Sequence, residues 1–224
     1  MTAPSFAPIL EAAQTRLGAA PLEARLTKPR SAAELKALTD DRYLSQMELR
    51  IFRAGLKHSL VDAKWPAFEE VFEKFEPRRV RAMSDEALEA LLGDRRLIRH
   101  WGKLKSVRDN AAAMIEVAEE HGSFGSWLAD WPGTDIVGLW EALAKRFSQM
   151  GGNSGPSFLR MVGKDTFVLT HSVTAALKRW GAVDAPPKNR KDRAAVQSRF
   201  NAWATETGRP LCQLSLVLAA SVDD

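Results

Sequence analysis

Nearly every stretch of this chain repeats its apolar residues at three- and four-residue spacing, and none alternates with the period of two that a pair of strands requires. The segment after Trp65-Pro66 is representative: Phe68, Val71, Phe72 and Phe75 fall on one helical face. The same spacing predicts helices over 7–19, 31–38, 41–63, 102–121, 124–131, 135–147, 156–163, 171–180, 190–206 and 210–221. Proline is tolerated in a first turn, so Trp65-Pro66 is read as opening a further helix. Ser84 reads as an N-cap followed by Asp85 and Glu86, with Gly93 closing that element, and Gly122 stops the long helix before it. The β-branched run Thr166–Thr170 is short and has no partner, which makes it an extended connector. The expected fold is all-α.

Composition removes several functions. The 224 residues suffice for one domain or two closely joined lobes. Cys212 is the only cysteine, and the four histidines are scattered, so neither a disulfide framework nor a cysteine-rich metal site is expected. No apolar run approaches the roughly 18 residues that cross a bilayer, and the N-terminus lacks the pattern of a secretory signal. No metal, no cofactor and a cytoplasmic location are the expectations. The net charge of +4 is small, but it is segregated. Arg95, Arg96, Arg99, Lys103, Lys105 and Arg108 form one cluster, and Lys188, Arg190, Lys191 and Arg193 a second. Acid gathers in Glu69, Glu70, Glu73 and Glu76 and again in Glu116, Glu119 and Glu120. Such a distribution suits one phosphate-facing surface; solvated helix faces are the plainer alternative.

The turn Gly151-Gly152-Asn153-Ser154-Gly155 lies between two predicted helices. Glycines and asparagine permit positive φ, so successive N–H groups can converge on an anion at the next helix N-terminus. A turn of this kind also serves simply to reverse the chain.

Phe52-Arg53-Ala54-Gly55-Leu56, the stretch from Trp65 to Phe75, Leu97-Ile98-Arg99-His100-Trp101-Gly102-Lys103, Asn110-Ala111 and Gly122-Ser123-Phe124 occur in an order that resembles the DNA-3-methyladenine glycosylase I family. That family belongs to the helix-hairpin-helix superfamily of base-excision glycosylases. The similarity runs over about residues 40–181, with 151–155 at the place of the DNA-binding hairpin. It implies a single glycosylase-like domain over 1–224, built as a two-lobed helical bundle. A helical lobe with the base pocket would occupy 40–147, the helix-hairpin-helix region 148–181, and branch-specific helices 188–224. The implied partner is double-stranded DNA carrying a damaged base, bound by a monomer associated with the bacterial nucleoid during repair. The implied activity is hydrolysis of the N-glycosidic bond of an alkylated purine of the 3-methyladenine type. A catalytically inactive helix-hairpin-helix DNA-binding protein is the alternative, and a helical interaction protein without DNA affinity a third.

The resemblance also distributes roles. Tyr43, Arg50, Phe52, His58 and Trp65 become base-pocket candidates, and Arg99 and Lys103 join Gly151, Gly152, Asn153, Ser154 and Gly155 as DNA-binding candidates. Arg50 stands where the family carries a base-binding glutamate, and His58 where it carries a larger aromatic ring. The family's zinc site of Cys and His residues has no counterpart beside a lone Cys212. In the wider superfamily a catalytic Asp follows the hairpin, but here Thr170-His171-Ser172-Val173 holds no carboxylate. The candidates for catalysis are therefore Asp165, His171 and Glu48. Asp165 reads more readily as a cap or turn residue than as a catalytic one, and Ser172 or Thr170 as the cap of the helix at 173. Trp101 is read as packing or as a wedge between bases. Residues 150–158 contain no lysine, so a Schiff-base lyase step is not expected.

Overall fold

A computed structural model describes residues 4–223, all of them in helices and connecting loops, with no strand among the described residues. In chain order the α-helices are α1 (Ala7–Leu17), α2 (Ala19–Arg25), α3 (Ala32–Ala37), α4 (Asp40–Arg53), α5 (His58–Val71), α6 (Pro77–Arg81) and α7 (Asp85–Ala90). They continue as α8 (Trp101–His121), α9 (Phe124–Asp130), α10 (Ile136–Arg146), α11 (Ser154–Val162), α12 (His171–Arg179), α13 (Arg190–Thr207) and α14 (Leu211–Ala220). None is long and apolar enough to cross a membrane.

The chain divides into two compact units. One comprises the described residues up to Pro29, Pro132–Leu139 and those from Asp165 onward. Its core joins Phe6, Ile9, Phe167, Phe200, Trp203 and Leu214, with Phe167 stacked on Phe200 at 4.1 Å. The connector 166–170 is extended as expected and runs through this core, where Val168 N–H donates to Ser215 Oγ. The second unit, Arg30–Trp131 with Trp140–Lys164, places α8 against α6 and α9, and packs α11 on α4. Phe52, Trp65, Phe68, Phe72 and Phe75 form its aromatic centre, with Trp65 stacked on Phe75 at 5.3 Å.

Local chemistry explains most helix ends. Ser84 Oγ accepts from Ala87 N–H, and Gly122 ends α8 with φ of 85°. Two expectations need correction. The helix expected over 41–63 is broken at 54–57, because Gly55 turns at φ of 75° and Lys103 captures the carbonyls at the end of α4. Trp65-Pro66 does not open a helix but lies inside α5, where stacking of Trp65 on Phe68 and Phe75 holds the chain through the missing N–H of Pro66. Of the two caps offered by the sequence for α12, Thr170 is the one used, its side chain standing three residues before the Val173 N–H it accepts from. The short helices α2 and α6 were not foreseen.

Candidate functional site

Asn110 is buried in the middle of α8 and has every polar group engaged. Its Nδ2 donates to Glu48 Oε1 at 2.7 Å and to the Ser148 carbonyl at 3.2 Å, and its Oδ1 accepts from Ser148 N–H at 2.7 Å. One side chain thus pins the backbone leading into the 151–155 turn onto α8 and α4. Glu48 is completely buried, and its Oε2 has no hydrogen-bond partner among the described residues. Burial disfavours the charged form and pushes its carboxyl up to about 8, against the opposing bond from Asn110. At neutral pH this candidate is an uncharged core residue. Neither Asn110 nor Ser148 carried a role in the sequence reading; a polar residue at an apolar position of a long helix was the available signal.

The turn itself is built more economically than three glycines suggest. Gly152 has positive φ, at 58°, and so does Gln149, at 63°. Gly155 serves close packing instead: a Cβ there would lie 3.2 Å from the Met150 carbonyl and 3.7 Å from Leu143. Gly151 and Gly152 face open space, and α11 begins at Ser154 after Asn153. A glycine turn at the head of a nine-residue helix is a fitting place for a phosphate.

The base-pocket candidates separate by burial. Tyr43 and Phe52 are fully buried. Tyr43 donates to the Leu35 carbonyl at 2.8 Å, and burial pushes its hydroxyl up to about 12. Trp65 is half-buried, with Nε1 donating to Ser45 Oγ at 3.2 Å. His58 is exposed at the first residue of α5, next to the exposed Leu60 and two residues beyond Leu56. Arg50 is half-buried in the last turn of α4.

Arg99, just before the cap of α8, and Lys103, in its first turn, do different work. Arg99 is exposed beside the His100 cap and the partly exposed Trp101. Lys103 is buried, and its ammonium donates to the carbonyls of Ala54 at 2.7 Å and Phe52 at 3.3 Å. Burial, and then Arg50, lower its pKa. Two other members of the basic cluster are also committed: Arg96 to Asp94 and Glu70, and Arg108 to the Met83 carbonyl and Asp85.

Asp165 and His171 belong to the other unit. The two carboxylate oxygens of Asp165 accept from Leu211 N–H and Cys212 N–H, each at 2.9 Å, which caps α14. His171 is exposed on the first turn of α12. Cys212 is buried in α14, and no group of three or more His, Cys, Asp or Glu among the described residues is placed to hold a metal ion. The residues present do not fit the zinc site that the resemblance implies.

Comparison with known proteins follows the same lines. DNA-3-methyladenine glycosylase 1 of Escherichia coli strain K12 is 35% identical over 82 residues, which cover 36% of this chain and 44% of that protein. The chain therefore matches less than half the length of that curated relative. The 3-methyladenine DNA glycosylase I of Staphylococcus aureus superposes with a TM-score of 0.52 at 20% identity, covering 68% of this chain and 91% of that one. The 8-oxoguanine glycosylase/lyase of Methanocaldococcus jannaschii, solved with a 15mer DNA containing 8-oxoguanine, has a TM-score of 0.53 at 15% identity and covers 94% of this chain and 93% of that one. These two structures establish a shared helical fold. The family model described as methyladenine glycosylase matches residues 35–150, more than half of the sequence and most of the unit that holds Asn110, Glu48 and the aromatic centre; the chain belongs to the methyladenine glycosylase family.

Proposed function

We propose that this protein is a monofunctional DNA repair glycosylase, hydrolysing the N-glycosidic bond of an alkylated purine in duplex DNA, with 3-methyladenine as the reference lesion. Membership of the family over 35–150 is the observation that carries this reading. The 151–155 turn ahead of α11 and the exposed Arg99 supply groups for gripping the phosphate backbone. The segment 40–147 then holds the base, 148–181 grips DNA, and 188–224 is an addition of this branch. The protein works as a monomer in the cytoplasm on nucleoid DNA.

In the reaction the damaged nucleotide leaves the stack, at a cost of a few kcal/mol that is smallest for a damaged or mispaired base. The C1′–N bond breaks with its electron pair going to the base, while a water oxygen bonds to C1′ and its proton passes to solvent or to the departing base. A cationic 3-methylated base leaves as a neutral molecule, so its bond is already weak. His171, exposed on α12, is the candidate for orienting the water. Incubation with methylated duplex DNA and chromatography of the released bases tests this reading. Free 3-methyladenine or another modified purine is the expected product, and intact DNA across a panel of alkylated and deaminated lesions refutes it.

The commitment of Asp165 to α14 and the complete burial of Glu48 favour a second reading, an inactive helix-hairpin-helix DNA-binding protein. It is distinguished by duplex binding that weakens steeply with salt, and weakens on Gly152→Asp, without release of any base.

A further inference from the structure

The chain enters the 151–155 turn through a strained residue. Asn110 grips Ser148 by both its carbonyl and its N–H. Gln149 then takes a left-handed backbone, with φ of 63°, and Met150 is buried behind it. Glycine adopts that conformation without steric cost, whereas a longer L side chain is strained in it. Such strain persists where the surroundings over-determine the backbone, as the two hydrogen bonds between Asn110 and Ser148 do here. No group among the described residues uses the side chain that the strain retains. Gln149 is exposed, and its amide makes no hydrogen bond to another described residue. Its place is nevertheless defined. A Cβ added to Gly102 would lie 4.0 Å from Gln149 Nε2 and 3.5 Å from the His100 ring, so the amide rests over the first turn of α8. Arg99, three residues before Gly102, is exposed and pairs with no carboxylate among the described residues. On the other side, Gly151 and Gly152 face open space. A free amide thus stands between an unpaired cation and the open backbone of the turn.

We propose that Gln149 is a DNA-backbone contact, its side-chain amide donating to a phosphate that lies between Arg99 and the 151–155 turn. This inference rests on the reading of that turn and Arg99 as the phosphate grip. Glutamine is among the regular phosphate donors, and such contacts fix the register of a protein on the duplex. The neighbours supply what the amide lacks. Arg99 brings the charge, and the turn brings N–H groups that can converge on an anion. The amide fills the gap between them, so that α8 and the turn hold one strand together. The left-handed backbone is then stability given up for binding. Relieving it should move stability and affinity in opposite directions, which a residue with a purely structural role would not do.

Duplex binding by fluorescence anisotropy over a salt series, thermal melting and base release are measured on the full chain and its variants. Gln149→Gly should leave Tm unchanged or raise it, while weakening duplex binding by about 2–10-fold. The slope of log affinity against log salt should stay the same, because no cation is lost. Gln149→Glu, of nearly the same shape, should weaken binding by more than about 10-fold at low salt, with the deficit shrinking as salt rises. Both losses should be equal on damaged and undamaged duplexes, as for a phosphate contact. Loss confined to damaged duplex overturns the assignment, because Gln149 then touches a base. A lower Tm and weaker binding in Gln149→Gly, with Gln149→Glu unaffected, overturns it too, because the side chain is then structural. Base release by a wild type whose Gln149 variants bind normally removes the assignment and leaves the glycosylase reading intact. If no base is released but duplex binding depends on Gln149 as described, the glycosylase reading fails and the assignment stands. Absence of both release and duplex binding refutes the two together.

Discussion

Asn110 Nδ2 lies 2.7 Å from Glu48 Oε1, while the second oxygen of that carboxyl has no partner in the surrounding core. The pair ties α8 to α4, and through Ser148 it ties both to the turn that precedes α11. It also makes the fold sensitive to alkali.

Burial raises the Glu48 carboxyl from its ordinary range to about 8 in the folded protein. The native state therefore holds a proton that the unfolded chain has already lost. Stability is full below the unfolded value, falls as pH rises from about 5 to 8, and levels off above that. One proton corresponds to about 1.4 kcal/mol per pH unit within the window. Glu48→Gln should flatten that segment of a urea-denaturation series across pH. An identical slope in the variant would show that another group is responsible.

Asp165→Ala removes the acceptor for Leu211 N–H and Cys212 N–H and should destabilise the protein by about 1–2 kcal/mol through the N-terminus of α14. The check is thermal melting beside base release below the melting range. Loss of release at an unchanged Tm would mean that Asp165 acts in the chemistry.

Lys103→Met should lose about 1–3 kcal/mol of stability, since two carbonyls at the end of α4 lose a charged donor. It should leave the salt dependence of duplex binding unaltered. Arg99→Gln should do the opposite, lowering the salt slope by about one at constant stability. Exchange of those two outcomes would reverse the assignments made from their burial.

Gly125 permits α9 to approach α3: a Cβ at this position would stand 2.5 Å from the Leu35 carbonyl and 3.1 Å from the Tyr43 ring. Backbone must move to admit it, so Gly125→Ala should destabilise by about 1–3 kcal/mol in chemical denaturation. Gly151→Ala, with open space around the glycine, is the control expected to stay within about 0.5 kcal/mol.

Helices that begin and end on local chemistry were legible in the amino-acid order. Ser84 acts through the Ala87 N–H three positions on, and Gly122 through its own backbone angle. Residues whose partners lie far along the chain were not. Lys103 looks like a phosphate ligand until the carbonyls of Phe52 and Ala54, about fifty positions earlier, fold against it. Asp165 reads as a cap or turn residue in sequence, but the helix it caps, α14, begins 46 positions later and only the fold brings it there. Thr170 and Ser172 are both acceptable caps by composition, and only the register of α12 decides between them. For the site, the family and the hairpin turn were visible as motifs. The buried Arg50 Nε without a hydrogen-bond partner was not, because a missing partner is a property of three dimensions.

The unit that includes both ends of the described chain has a consequence for synthesis. Arg16 of α1 donates to the Ala220 carbonyl, 204 positions later, and α1 packs on α14. During translation α1 leaves the ribosome long before the helix that shelters Ile9 and Ala13 exists, whereas Arg30–Lys164 already contains all of the second unit. A nascent chain released short of α14 would thus carry a finished aromatic centre while Ile9 and Ala13 of α1 lack the helix that covers them.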